Sequence, residues 1–333
     1  MSQSFKLLSH LDQLSGIKTG DYRPPVMVDI DPVDGSCNLD CAWCCQAASR
    51  ESRPSRFMPD STMERLGSFS KSWGIRSWRI AGDSEPLLNR NISILLESGR
   101  SNAIPMGLIT NGVFLNRLDK DDLKKLNWLG VSLDAATAAT WSSLKRETPD
   151  KFDQILENIK NARALAPELD ISIKFLRWSS AENLIKSDFV VNEFAPTFKH
   201  ASDENEVFSN ENEVDLFSKL ADELSIRAII KNAYPKDFPS HYAFESCRAT
   251  ALGGVFDASH NFHLCCDARG VYVLTDDYTR DDWNELPSLW GGDQHQELIS
   301  SIQPKQCIGC AKYKINEVIE KYIVNEHSDN TFI

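Results

Sequence analysis

Three cysteines stand within eight residues, Cys37-Asn-Leu-Asp-Cys41-Ala-Trp-Cys44, spaced C-x3-C-x2-C. Thiolates bind soft metals, and three of them leave a tetrahedral site one ligand short. Such a loop suits a metal centre that keeps one position for something else. Cys45 is adjacent to Cys44 and poorly placed to close the same face. Five more cysteines, Cys247, Cys265, Cys266, Cys307 and Cys310, lie far downstream, and none falls between 46 and 246. Scattered core cysteines would not leave a gap of that size. The Cys307-Ile-Gly-Cys310 knuckle and two hairpin cysteines, Cys247 and Cys265, give four thiolates, enough to close a tetrahedral or cubane site. Cys265 is read as the ligand and Cys266 as the spare. Thiolate spacing alone does not separate iron–sulfur from zinc, so both metals stay open for the distal set.

The elements that must position these thiols follow from periodicity. A short apolar run at 26–30 reads as a strand leading into the cysteine loop. Beyond a basic, irregular connection at 46–59 the chain alternates. Strands are predicted at 77–80, 106–109, 129–133, 171–175, 189–191 and 226–230. Helices are predicted from a capping Asp60 to near Gly74, and over 91–99, 120–127, 137–145, 152–165, 181–186 and 214–224. Strand–helix units in series predict a parallel sheet with helices outside, and ligands of such sheets sit at the C-terminal strand ends. From about 235 the texture turns to prolines, glycines, aromatics and cysteines. A hairpin is predicted there from 244–256 and 262–266, then helices at 294–301 and 315–324. The expected organisation is a lead-in at 1–25, a main domain at 26–235 and a small domain at 236–333.

The totals narrow the class. The chain has 333 residues, 41% of them hydrophobic, and a formal net charge of −12. That suffices for a sizeable core and argues against disorder and against nucleic-acid partners. No signal peptide and no run of membrane-spanning length is read, so the expected setting is cytoplasmic, with no membrane partner. Nine cysteines in a reducing compartment point to metal or redox chemistry.

The loop after the first strand resembles the cluster motif of the radical S-adenosylmethionine (SAM) enzymes. The resemblance extends along 25–324. It implies an α/β fold with a partial (β/α)6 barrel. It also implies that Cys37, Cys41 and Cys44 hold a [4Fe-4S] cluster whose fourth iron is chelated by SAM. Trp43 occupies the family's aromatic position and is expected either to flank adenine or merely to pack. Ala81-Gly-Asp-Ser-Glu-Pro86 resembles the family's Gly-Gly-Glu-Pro stretch. Gly82, Glu85 and Pro86 match, while Asp83 and Ser84 replace glycines, which leaves open the carbonyls that face SAM. Thr110-Asn111-Gly112 is a family-like turn under SAM. Ser132 and Asp134 are expected on one inward strand face, toward the SAM carboxylate and ribose. An alternative makes Asp134 or Thr137 the cap of the next helix.

The distal cysteines resemble the short Twitch auxiliary-cluster domain, the reduced form of the SPASM domain. That implies one auxiliary [4Fe-4S] cluster on Cys247, Cys265, Cys307 and Cys310. A saturated cluster can accept an electron but not bind substrate. The resemblance therefore implies a dehydrogenase-type oxidoreductase acting on a sugar or aminocyclitol. The alternative is epimerisation or crosslinking of a ribosomal peptide, with Cys45 or Cys266 as hydrogen-atom donor. The short segment before the first strand is too small for a leader-binding domain, which weighs against the peptide. A third alternative is a zinc-stapled interaction protein. Arg50, Arg53 and Arg56 are expected to form a positive patch for a flavodoxin or ferredoxin-type reductant. Lys174, Arg177 and Lys231, near strand ends, could meet a phosphate or carboxylate.

Overall fold

The computed structural model describes residues 6–42, 44, 50, 53–177, 210–232, 242, 244–307, 310 and 312–325. The strands are β1 (Met27–Ile30), β2 (Val33–Asp34), β3 (Arg56–Phe57), β4 (Ser77–Ile80), β5 (Met106–Thr110) and β6 (Trp128–Ser132), then β7 (Asp170–Arg177), β8 (Arg227–Asn232), β9 (Gly253–Phe256), β10 (Phe262–His263) and β11 (Val273–Thr275). The principal helices are α1 (Leu11–Thr19), α2 (Asp60–Trp73), α3 (Ile92–Ser101), α4 (Lys120–Lys125), α5 (Ala138–Lys145), α6 (Asp150–Leu165), α7 (Val214–Glu223), α8 (Asp293–Ser301) and α9 (Tyr313–Ile319). The expected strand at 189–191 and helix at 181–186 lie outside the described residues.

One sheet organises the molecule, in the order β11-β10-β9-β1-β4-β5-β6-β7-β8. Every pair from β9 to β8 is parallel, so β1, β4, β5, β6, β7 and β8 form the wall of a partial (β/α)6 barrel. Alternation divides the strands cleanly. Val28, Ile30, Trp78, Ile80, Leu129, Val131, Ile173 and Phe175 are buried in the core shared with the helices. Trp78 donates its indole N–H to Ser70 of α2, and Phe175 packs on Phe217 of α7, which identifies the outer face. The other face carries Asp29, Arg79, Gly107, Trp128, Gly130, Ser132, Ser172 and Lys174 and looks into the barrel.

The sheet departs from the sequence reading in instructive ways. The distal hairpin is β9–β10, with Phe256 opposite Phe262, but residues 249–252 are a 3-10 turn and the first strand starts only at Gly253. Moreover β9 lies parallel to β1, Asp29 facing Val255, so the hairpin extends the barrel sheet. The two-residue β2–β3 ladder, unsuspected in the irregular connection, closes the base of the cysteine loop. Asp60 does not cap α2. Pro59 holds that position, and the Asp60 carboxylate accepts from Asn91. The C-terminal helix is α only to Ile319 and continues as a π-helical turn, Glu320–Val324.

Candidate metal centre

The turns after β4 and β5 and the end of α5 clamp the loop bearing Cys37, Cys41 and Cys44. Cys44 N–H donates to the Cys41 carbonyl at 3.1 Å, and Ala42 N–H donates to the Leu144 carbonyl near the end of α5 at 2.9 Å. Ser36 N–H donates to Ser84 Oγ, which itself donates to Asp83 Oδ1. Asn38 accepts from the Asn111 amide at 2.8 Å. The turns singled out at 81–86 and 110–112 thus meet the cysteine loop directly.

Glu85 is the hub of these turns. Its carboxylate accepts from Leu87 N–H at 3.1 Å, Thr110 Oγ1 at 2.6 Å and Asn111 N–H at 2.8 Å. Complete burial raises its pKa to about 7, against the pull of those three donors. Gly82 has φ +144°, a conformation side chains rarely adopt, and a Cβ there would stand 3.4 Å from Asp31 Cγ. Asp83 is buried, and its Oδ2 pairs with Arg53.

Two cations flank the thiols. Arg50 Nη1 donates to Cys44 Sγ at 3.2 Å and to the Asp83 carbonyl at 3.3 Å. Lys145, buried at the end of α5, pairs with Asp134 at 2.5 Å, and that carboxylate holds the lysine charge against the cost of burial. Burial pushes the Cys37 thiol up and Cys41 to about 12, so these groups stay neutral thiols until a cation draws them into thiolates. Three half-buried thiols, no fourth cysteine among the loop's described residues and two flanking cations fit an anionic iron–sulfur cluster with one open corner.

Several expectations change here. Arg50 and Arg53 do not form a solvent patch. Arg50 turns in to Cys44, and Arg53 pairs with Asp83 and Asp257, which leaves only Arg56 of the three exposed. Ser132 lies on the inward face, opposite Lys174. Asp134 does not continue that alternation, because the strand ends at Ser132 and Asp134 takes φ +63°. Its two oxygens are held by Lys145 and Leu176 N–H, and α5 is capped by Thr137. Trp43 and Cys45 lie outside the described residues.

The distal thiols come from three stretches of chain, at Cys247, at Cys265 and at Cys307 with Cys310. Asn316 on α9 donates to Cys247 Sγ at 3.6 Å while accepting from Ala249 N–H at 2.7 Å. Cys310 N–H donates to the Tyr242 hydroxyl at 3.0 Å. Burial is the main cause raising Cys265 well above its usual range, Cys307 to about 11 and Cys310 to about 12, and Cys247 acts electrostatically on all three. Cys266 faces differently: besides Lys312 and Asp267, its charged neighbours are Asp29 and Arg79 of the barrel interior. Four thiols are the donor chemistry that a saturated iron–sulfur or zinc site takes. Among the described residues no three His, Cys, Asp or Glu side chains converge tightly enough to hold a single metal ion.

An ion-pair wall joins the two cysteine regions, and sequence reasoning did not find it. Arg269, from the loop after β10, pairs with Asp31 and reaches Asp29 at 3.6 Å, while Arg79 grips Asp29 at 2.8 and 2.5 Å. The only sequence signal was acidic residues placed every second position along β1 and just past its end. No helix among the described residues is long and apolar enough to cross a membrane.

Residues 34–188 match the profile described as the Radical SAM superfamily. Streptococcus suis SuiB bound to S-adenosylmethionine aligns with a TM-score of 0.57 at 19% identity, over 93% of this chain and 76% of that one. SuiB bound to precursor peptide SuiA aligns at 0.55 and 18% identity, over 91% and 73%. Polyhistidine-tagged anSMEcpe with bound AdoMet aligns at 0.53 and 14%, over 88% and 85%. At these identities the likeness is one of fold. No curated protein matches the chain in sequence.

Proposed function

Taking as premise that the chain carries a radical SAM superfamily domain over residues 34–188, we propose that it oxidises a small polar, sugar- or aminocyclitol-like substrate by two electrons. When bound, a [4Fe-4S] cluster on Cys37, Cys41 and Cys44 would supply the electron that cleaves SAM to methionine and a 5′-deoxyadenosyl radical, and a second cluster on Cys247, Cys265, Cys307 and Cys310 would supply an electron acceptor. The substrate carbon gives one hydrogen atom to that radical, then one electron and a hydroxyl proton leave. A secondary alcohol thereby becomes a ketone, with one methionine and one 5′-deoxyadenosine formed and the input electron returned.

The observation that carries this reading is the ion-pair wall. Asp29, Arg79 and Arg269 give the barrel interior a polar lining suited to a hydroxylated substrate. Through Cys266 the same wall abuts the loop that presents Cys265. In this reading the Twitch-like distal segment of 236–333 works as an extension of the barrel. Around SAM, the chain's part is orientation: Gly82, Asp83 and Ser84 present backbone to the methionine end, Glu85 fixes that turn to Asn111, and Ser132 faces inward. A flavodoxin or ferredoxin-type reductant would dock elsewhere than on Arg50 and Arg53, which are turned inward.

Anaerobic reconstitution tests the proposal. The expected protein binds about eight irons, two cubanes' worth, and forms one 5′-deoxyadenosine per oxidised product. Zinc in the distal set, or substrate bound to a distal iron, would overturn it.

A second reading has a specific observation behind it. SuiB, one of the aligned structures, is bound to a precursor peptide. On that reading Cys266, beside Asp29 and Arg79, returns a hydrogen atom to a peptide radical, with Cys45 as the other donor. Solvent deuterium at a peptide α-carbon, lost in Cys266→Ala, would favour it.

A further inference from the structure

Among the described residues of the barrel interior, Lys174 on β7 is a cation with no ion-pair partner. It shares the inward face with its register partners Ser132 and Ile229. Its stem lies across Gly130, where a Cβ would meet Lys174 Cε at 2.9 Å. Its ammonium stands 5.8 Å from the centre of the Trp128 ring. That ring fills the space over Gly107, where a Cβ would come within 1.9 Å of it. Two glycines on adjacent strands therefore make room for an aromatic ring and a lysine at the centre of the barrel.

The charges around Lys174 do not favour it. Lys231, near the end of β8, and Arg79 on β4 are both cations, and Arg79 is already matched by Asp29. Asp134 is the one nearby anion, and both its oxygens are engaged by Lys145 and Leu176 N–H. Burial, then the like charges, bring the Lys174 amine down to about 8. Apart from the ring, Lys174 makes no ion pair or hydrogen bond with a described residue. Lys231, exposed and opposite Leu176 on the adjacent strand, adds a second positive charge on the same side of the sheet, and an anion bound there would relieve the partly desolvated Lys174 ammonium. Arg177, the third basic residue of this stretch, falls by alternation on the outer face with Phe175.

We propose that Lys174 and Lys231 form an anion subsite of the substrate cavity, which takes a carboxylate or phosphate carried by the substrate. The inference rests on the reading that the barrel interior receives the substrate. It narrows the substrate class to anionic molecules, such as a phosphorylated or carboxylated sugar.

The test is competitive acylation of amines in the reconstituted holoprotein at pH 8, read by peptide mass spectrometry. Inorganic phosphate, succinate, chloride at equal ionic strength and SAM are the probes. Phosphate or succinate is expected to slow acylation of Lys174 about tenfold, as a charge-assisted contact would, and whichever protects better identifies the anion. Chloride and SAM are expected to have no effect. Lys231→Gln should remove most of the protection while Lys174 still reacts. Lys174→Met should fold at least as stably as the parent. Equal rates with all four probes would overturn the proposal. So would protection by SAM alone, which assigns the lysine to the cofactor's carboxylate, a Lys174 that the reagent never reaches, or a destabilised Lys174→Met. None of these readouts needs turnover. A failure of the oxidation reading and a failure of the anion subsite are therefore separable.

Discussion

The two cysteine regions solve the same problem at different ranges. The first set spans eight residues, Cys37 to Cys44, and its loop is pinned by hydrogen bonds to strand-end turns and a helix end. The second set spans Cys247 to Cys310, with Cys247 held by Asn316 of α9 and Cys310 by the Tyr242 hydroxyl. The first set has three thiols flanked by Arg50 and Lys145. The second has four thiols, with Lys312 as a flanking cation. On the proposed reading the difference would divide the work: a local loop with a missing ligand admits an exchangeable cosubstrate, whereas a four-thiol set holds structure or passes electrons.

The largest effect should come from removing one thiol on each side. Cys41→Ala is expected to abolish 5′-deoxyadenosine formation and lower iron from about eight to about four per chain. Cys307→Ala should lose a similar amount of iron yet still form 5′-deoxyadenosine, uncoupled from product. If Cys307→Ala also stopped SAM cleavage, the division of labour between the regions would fail. Iron analysis and chromatography of the nucleoside decide it.

Next in size is the Asp134–Lys145 pair beside the first set. Both groups are buried. Lys145→Met alone leaves a buried carboxylate unpaired, which costs about 3–5 kcal/mol. Lys145→Met with Asp134→Asn should recover much of that loss, because an amide tolerates burial better than a charge. Urea titration of the four corners of this cycle reads the coupling. Additive losses would mean that the two residues act independently.

Glu85 separates the regions by pH. Its folded-state value, about 7, lies above the ordinary carboxylate value of 4.5. The folded protein therefore holds that proton more tightly than the unfolded chain does. Its contribution is full below pH 4.5 and is lost as pH rises through 7. The loss is on the order of 2–3 kcal/mol across that window. Glu85→Gln should flatten the fall in melting temperature between about pH 5 and pH 7.5. An unchanged slope would show that Glu85 is ionised throughout.

What the sequence disclosed follows the same divide between local and long-range. The barrel strands at 77–80, 106–110, 128–132 and 170–177 were legible because burial on both faces leaves compact runs, and Gly74 and Thr137 mark helix ends by local chemistry. The cysteine loop was legible because its ligands are neighbours. Charge partners were not. Nothing local tells Arg53 to reach Asp257, or Arg269 to reach Asp31, 238 positions away. Nor does the pattern of 253–256 announce pairing with β1. Asp134 misled for a related reason: alternation holds only while the strand lasts, and a positive φ turned its carboxylate toward Lys145.

The smallest effect concerns Arg50, and it distinguishes the regions most sharply. Its guanidinium touches Cys44 Sγ and the Asp83 carbonyl, on the first set only. A cation there favours the more negative, reduced state of whatever the thiols hold. Arg50→Gln removes the charge while keeping a donor of similar reach. A charge-assisted contact to sulfur of about 0.5–1 kcal/mol corresponds to roughly 20–45 mV for a one-electron couple. The potential of the first centre should therefore fall by about that amount, while the distal centre, flanked by Lys312 instead, stays where it was. Redox titration followed by electron paramagnetic resonance resolves the two signals. A shift in both centres would mean that the charge is felt through Arg53, which on the same segment bridges Asp83 to Asp257 just past the end of β9. A shift in neither would mean that solvent screens the guanidinium despite its burial.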